Sequence, residues 1–138
     1  MANDGSSNGS GGSAPGGNRP VRVFFVDDDP QVTEMMRDVI DMIGYELVGV
    51  AVNGKEAVEM YGQLLPDITI MDCKMPVMDG ITATSEIRAR HADAKILMLS
   101  GHFVDQDAAT AAGVIKILHK PVGIAELKAE IDAALGRN

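Results

Sequence analysis

One cysteine, Cys73, stands in 138 residues, which excludes an internal disulfide framework and fits a reducing, cytoplasmic setting. Positive charge is scarce: 12 Lys and Arg face 20 Asp and Glu, for a formal net charge of -8. A nucleic-acid binder would normally carry a basic stripe, and an anionic membrane surface would repel such a chain, so neither is an expected partner. No apolar stretch approaches the roughly 20 residues of a transmembrane helix. No charged segment followed by an apolar core opens the chain as a secretion signal would. A Gly-x-Gly-x-x-Gly loop is also missing, which disfavours a nucleotide or flavin binder of the ordinary type.

The length suits one domain with one sizeable core. Residues 1–20 differ from the rest: between positions 3 and 18 nothing apolar larger than alanine occurs, too little to offset the entropy of ordering. They are expected to be a disordered Gly/Ser-rich tail or linker ahead of a folded domain at 21–138. From residue 21 short apolar runs alternate with helical patterns, the signature of βα units and a parallel sheet. Strands are predicted near 21–27, 47–52, 67–71, 95–99 and 114–118. Val32, Met35, Met36, Val39, Ile40 and Ile43 recur at helical spacing, and Gly44 closes that helix. Asn53-Gly54 predicts a tight turn before a second helix that ends ahead of Pro66, and Asp79 an N-cap for a third. The fourth helix, near 105–112, is rich in alanine and is expected to be the most loosely held. The last carries Ile124, Leu127, Ile131 and Leu135 on one face.

Chemistry concentrates where the apolar runs stop. Asp27, Asp28 and Asp29 follow the first, Asp72 the third, Ser100 the fourth and Lys120 the fifth. In a parallel sheet those ends share the carboxyl edge, where open α/β folds place their sites. Carboxylates crowded there repel unless a cation sits among them. Mg²⁺, or Mn²⁺, takes oxygen ligands and usually keeps several waters, so few carboxylates suffice. Asp28 and Asp72 are candidates for direct ligands, Asp27 for holding a metal water, and the Lys74 backbone carbonyl for a neutral oxygen. Asp29 is expected to cap the helix that begins at Pro30. The Asp72 carboxylate could attack a phosphoryl group, with the metal, Lys120 and the Ser100 hydroxyl each serving one phosphoryl oxygen. Taken singly, each residue could equally be a cap, a turn hydroxyl or a solvated lysine. Cys73 reads as a small buried hydrophobe, and the three histidines lack metal-ligand spacing.

The motifs Val-Asp-Asp-Asp-Pro (26–30), Asp-Ile-Thr-Ile-Met-Asp-Cys-Lys-Met-Pro-Val-Met-Asp-Gly (67–80), Leu-Ser-Gly (99–101) and His-Lys-Pro (119–121) together resemble the receiver domain of two-component response regulators. The resemblance covers about residues 21–135. It implies a flavodoxin-like α/β fold: a five-stranded parallel sheet in 2-1-3-4-5 order, with five helices on both faces and a cis bond before Pro121. It also implies that Asp72 is phosphorylated, Asp27 and Asp28 form the acidic metal pair, Ser100 with Gly101 is the switch, and Lys120 pairs with the phosphate. The implied partners are a histidine kinase or phosphotransfer protein and a downstream effector bound through the 104–135 face. The domain would be a monomer or a weak dimer linked to phosphorylation. It would be no enzyme beyond its own phosphorylation and dephosphorylation.

One departure stands out. Receiver domains commonly carry Tyr or Phe three residues before the lysine, and this chain has Ile117, so a relay there cannot work in its usual aromatic form. Lys74 and His102 occupy positions resembling control points for phosphoryl lifetime. The stretch from Gly44 to Val58 resembles chemotaxis regulators, and the chain stops soon after Leu135. The expectation is therefore a stand-alone receiver of the chemotaxis or phosphorelay type, or a receiver fragment of a larger regulator or hybrid kinase. The enzyme alternative is a Mg²⁺-dependent phosphatase of the haloacid-dehalogenase type. It would want Asp-x-Asp-x-Thr/Val after the first strand, and position 31 is Gln. A pseudo-receiver that never takes a phosphoryl group is a further alternative.

Overall fold

The computed structural model describes residues 19–137. Strands and helices alternate along the chain: β1 Arg22–Val26, α1 Pro30–Ile43, β2 Glu46–Ala51, α2 Gly54–Leu64, β3 Ile68–Asp72, α3 Gly80–Arg90, β4 Ile96–Ser100, α4 Gln106–Ala112, β5 Lys116–His119 and α5 Ile124–Ala134. All strand pairs are parallel, and the order across the sheet is β2-β1-β3-β4-β5. This is the flavodoxin-like order expected from the sequence. The expected disordered tail falls almost wholly outside the described residues, save Arg19 and Pro20.

The central strands are apolar on consecutive residues because helices cover both faces of the sheet. Phe24, Val26, Met71, Ile96 and Met98 face Ala57 and Tyr61 of α2, Ala83 and Ile87 of α3, and Ala109 of α4. The alternate residues Val23, Phe25, Ile68, Ile70, Leu97 and Leu99 face Met36 and Ile40 of α1 and Leu127 and Ile131 of α5. Two cores thus lie back to back across one sheet. α4 is the shortest helix, and Ala109 is its one buried residue, as its alanine content implied. Among the described residues no helix is long and apolar enough to cross a membrane.

Short polar side chains start four of the helices. Asp29, Asn53, Asp79 and Asp105 accept hydrogen bonds from the backbone N–H groups of Gln31, Glu56, Thr82 and Ala108, each cap contributing about 1 kcal/mol. Gly44 and Gly113 end α1 and α4 at φ 92° and 107°, a left-handed region that glycine enters without a Cβ clash. Asn53-Gly54 is no separate tight turn. Asn53 caps α2 directly and Gly54 is its first residue, because the side-chain bond to Glu56 N–H already turns the chain. The fifth strand begins two residues later than predicted, after Val114 and Ile115 have been tied to α4 and to Ile96. The Lys120–Pro121 bond is cis.

Below the sheet, opposite the carboxyl edge, Arg19 clasps Asp67 with two bonds of 2.7 and 2.9 Å, and Asp67 also accepts from the Arg22 N–H at 2.8 Å.

Candidate functional site

Parallel register delivers the four strand ends to one place. Val26 lies opposite Met71, Asp72 opposite Leu99, and Ser100 opposite His119. The residues that follow β1 and β5 therefore flank the last residues of β3 and β4. Asp27, Asp72 and Ser100 are all buried, with exposures of 1%, 6% and 1%, whereas Asp28 is exposed.

Lys120 bridges the two buried carboxylates. Its ammonium donates to Asp27 Oδ2 at 3.0 Å and to Asp72 Oδ1 at 3.4 Å, and its backbone N–H donates to the Ser100 carbonyl at 2.8 Å. Asp27 Oδ1 accepts the Asp29 N–H at 2.9 Å. Both Asp27 oxygens are thus engaged, while Asp28 reaches the site from the solvent side. One carboxylate oxygen from each of Asp27, Asp28 and Asp72 lies within 4.8 Å of the others. Three clustered carboxylates with one lysine on two of them leave a negative excess, and an all-oxygen set open to water on one side fits a hard divalent cation. Asp29 caps α1 and takes no part in the cluster.

Electrostatics follow from this crowding. Burial and the neighbouring Asp27 charge push the Asp72 carboxyl above its ordinary value, against the pull of Lys120. Burial draws the Lys120 ammonium down, but its bond to Asp27 and the charges of Asp72 and Asp27 outweigh that, so its pKa is raised. Cys73 is buried beside the site and its thiol is pushed up by burial and by the charges of Asp79 and Asp72. A thiol held protonated in this way is a packing residue, as the sequence implied.

The loops complete the edge. Ser100 Oγ donates to the His102 carbonyl and accepts the His102 N–H, both at 3.1 Å. A Cβ placed on Gly101 would lie 3.8 Å from the Lys120 stem, so this loop runs close over the lysine. The loop after β3 is closed by Gly80 N–H to the Cys73 carbonyl at 2.8 Å and by Gly54 N–H to the Met78 carbonyl at 3.0 Å. A Cβ on Gly80 or Gly54 would run into the Asp72 or Met78 carbonyl. These two glycines let α3 and α2 press their first turns against the loop that carries Lys74. The side chains of Lys74 and His102 are exposed, and Ile117 is half-buried against the core.

Two loop residues were not singled out from the sequence. Val77 sits at φ 72° with its side chain 77% exposed, inside a tight turn where Met78 N–H reaches the Pro76 carbonyl at 2.7 Å. Phe103 is 90% exposed. A proline-flanked loop and one of only three phenylalanines were the available signals, but neither reports exposure.

Comparison with known proteins places this arrangement. A sequence model of the response regulator receiver domain matches residues 23–132. The chain is 48% identical over 79 residues to the chemotaxis protein CheY of Thermotoga maritima, covering 57% of this chain and 66% of that one. It is 38% identical over 121 residues to the transcriptional regulatory protein PdtaR of Mycobacterium tuberculosis, covering 86% and 58%. The chain therefore spans between about half and two thirds of the length of such curated relatives. Among solved structures, the CheX–CheY–BeF3–Mg complex of Borrelia burgdorferi superposes with a TM-score of 0.79 at 27% identity, over 83% of this chain and 89% of that one.

Proposed function

The chain belongs to the response regulator receiver domain family, and from that premise we propose that Asp72 accepts a phosphoryl group from a partner histidine kinase or phosphotransfer protein. A carboxylate oxygen of Asp72 attacks phosphorus, the bond to the donor breaks, and an acyl phosphate forms. The observation that carries this reading is the oxygen cluster of Asp27, Asp28 and Asp72 with Lys120 bonded to two of its three members. Phosphoryl transfer depends chiefly on positioning and charge neutralisation, and this geometry serves both. Mg²⁺, or Mn²⁺, held by Asp27, Asp28, Asp72 and the Lys74 carbonyl would neutralise phosphoryl charge. Lys120 already points its ammonium at Asp72, and Ser100 is one backbone bond from Lys120. Ser100 and Gly101 then sense the phosphoryl group, and the 104–135 face passes the change to a downstream protein in chemotaxis or a phosphorelay. Lys74 and His102 tune phosphoryl lifetime by shielding or orienting the attacking water.

Incubation with acetyl phosphate and Mg²⁺ followed by intact-mass measurement tests the central claim. A lasting single adduct that disappears in Asp72→Asn supports it. Rapid turnover without an adduct favours a phosphatase, and an adduct that survives Asp72→Asn rejects the assignment. Hydrolysis rates of the phosphorylated protein should change in Lys74→Ala and His102→Ala; unchanged rates in both remove those two residues from the reading.

A further inference from the structure

Among the described residues, Phe103 is the most exposed of the large apolar side chains. It borders a groove of about 360 Å³ lined also by Val104, Ile117, His119 and the polar start of α4, Asp105, Gln106 and Asp107. Ile117 lies opposite Met98 in the β4–β5 ladder. It therefore faces the same side of the sheet as Ser100, two residues beyond Met98. The groove thus lies on the sheet face that carries Ser100, at the position where an aromatic side chain is lacking.

The Ser100 hydroxyl holds the segment that carries Phe103. It has one proton, now given to the His102 carbonyl, and it accepts the His102 N–H. Val104, buried at 4%, anchors the other side of Phe103. A hydroxyl that turns to donate to a phosphoryl oxygen on Asp72 must release the His102 carbonyl, and a swing of the side chain about χ1 carries the oxygen off the His102 N–H as well. Phe103 then sits between one fixed neighbour and one freed neighbour, with its ring in water and, beside it, a groove where Val104 and Ile117 offer apolar surface. Burying the ring removes apolar surface from water, a gain that the clasp on His102 opposes by holding the loop.

We propose that Phe103 is a strap: phosphorylation frees the His102 clasp, and the Phe103 ring closes into the groove over Ile117. The loop after β4 thereby supplies the aromatic relay that position 117 lacks. This rests on Asp72 being the phosphoacceptor, and the test separates the two.

The chain contains no tryptophan, so Phe103→Trp reports on this position alone. With Mg²⁺ and acetyl phosphate, the adduct should appear by intact mass while the emission shifts to the blue and iodide quenching is lost. Both should revert as the phosphoryl group hydrolyses. Adding Ile117→Phe fills the groove, so the adduct should form without the shift; Ile117→Met, a milder filling, should reduce it. A complete adduct with unchanged emission overturns the strap. So does a shift that persists undiminished in both groove-filling variants. Absence of any Asp72 adduct overturns the phosphoacceptor reading and the strap with it, and mass rather than emission identifies that failure.

Discussion

Replacing Asp72 by asparagine keeps the shape of the side chain and takes one negative charge out of a crowded, buried place. Asp72 has a carboxylate oxygen within 4.8 Å of oxygens on both Asp27 and Asp28. At an effective dielectric constant of about 20, each such repulsion is at least about 3.5 kcal/mol, and the Lys120 contact at 3.4 Å returns about 5 kcal/mol. Water around the exposed Asp28 weakens its share, while burial of Asp72 adds a desolvation cost. The balance is a destabilisation of about 1–2 kcal/mol in the metal-free protein at neutral pH. Asp72→Asn should therefore be more stable than wild type by about that amount in EDTA, read from urea unfolding followed by far-UV circular dichroism.

The pH dependence gives the sign independently. Burial and Asp27 raise the folded pKa of Asp72 above its ordinary value of 3.8. Its protonated form thus stabilises the fold below that value, and this contribution is lost as pH rises through the folded pKa. The advantage of the asparagine variant should open across that window and close below it. Saturating Mg²⁺ should reverse the ranking, because ligand at 100 times its Kd stabilises the native state by about 2.7 kcal/mol and the variant binds it more weakly. An asparagine variant less stable than wild type in EDTA at pH 7, or equally stabilised by Mg²⁺, would refute the reasoning.

Four further substitutions test the scaffold. Arg19→Ala should cost about 1 kcal/mol at pH 7, since the paired guanidinium is one third exposed. Burial raises the Asp67 carboxyl, but Arg19 and the Arg22 N–H outweigh it and hold it low. The Arg19→Ala and wild-type stability curves should therefore converge as pH falls below 3.8 through the depressed folded value. Gly54→Ala should lose about 1–3 kcal/mol by pushing on the Met78 carbonyl and should slow Asp72 phosphorylation measured by intact mass. Gly62→Ala on the same helix meets only His91 at 3.7 Å and should gain about 0.5–1 kcal/mol. Val77→Asn should gain about 1 kcal/mol in urea unfolding, because a β-branched residue at positive φ is strained and this one buries little.

The order of elements, and which side chains gather at the carboxyl edge, were legible in the chain itself. Apolar runs of four or five residues broken by helical spacing specify a parallel sheet. A reactive side chain placed immediately after such a run must arrive at the carboxyl edge, whatever packs elsewhere. That is why Asp27, Asp72, Ser100 and Lys120 could be named before any coordinates, and why Asp29, followed by proline, could be set aside as a cap. These are local facts, fixed by strand period and cap chemistry. What each residue is bonded to was decided only by the tertiary structure. Asp27 and Lys120 meet across 93 positions, and register between neighbouring strands sets their distance. The Ser100 clasp on His102, the pressing of Gly54 on Met78 and the exposure of Phe103 all depend on how loops from different strands pack. No periodicity encodes such contacts. The acidic edge was written in the sequence; the lysine that bridges its carboxylates and the ring beside its groove were placed by the fold.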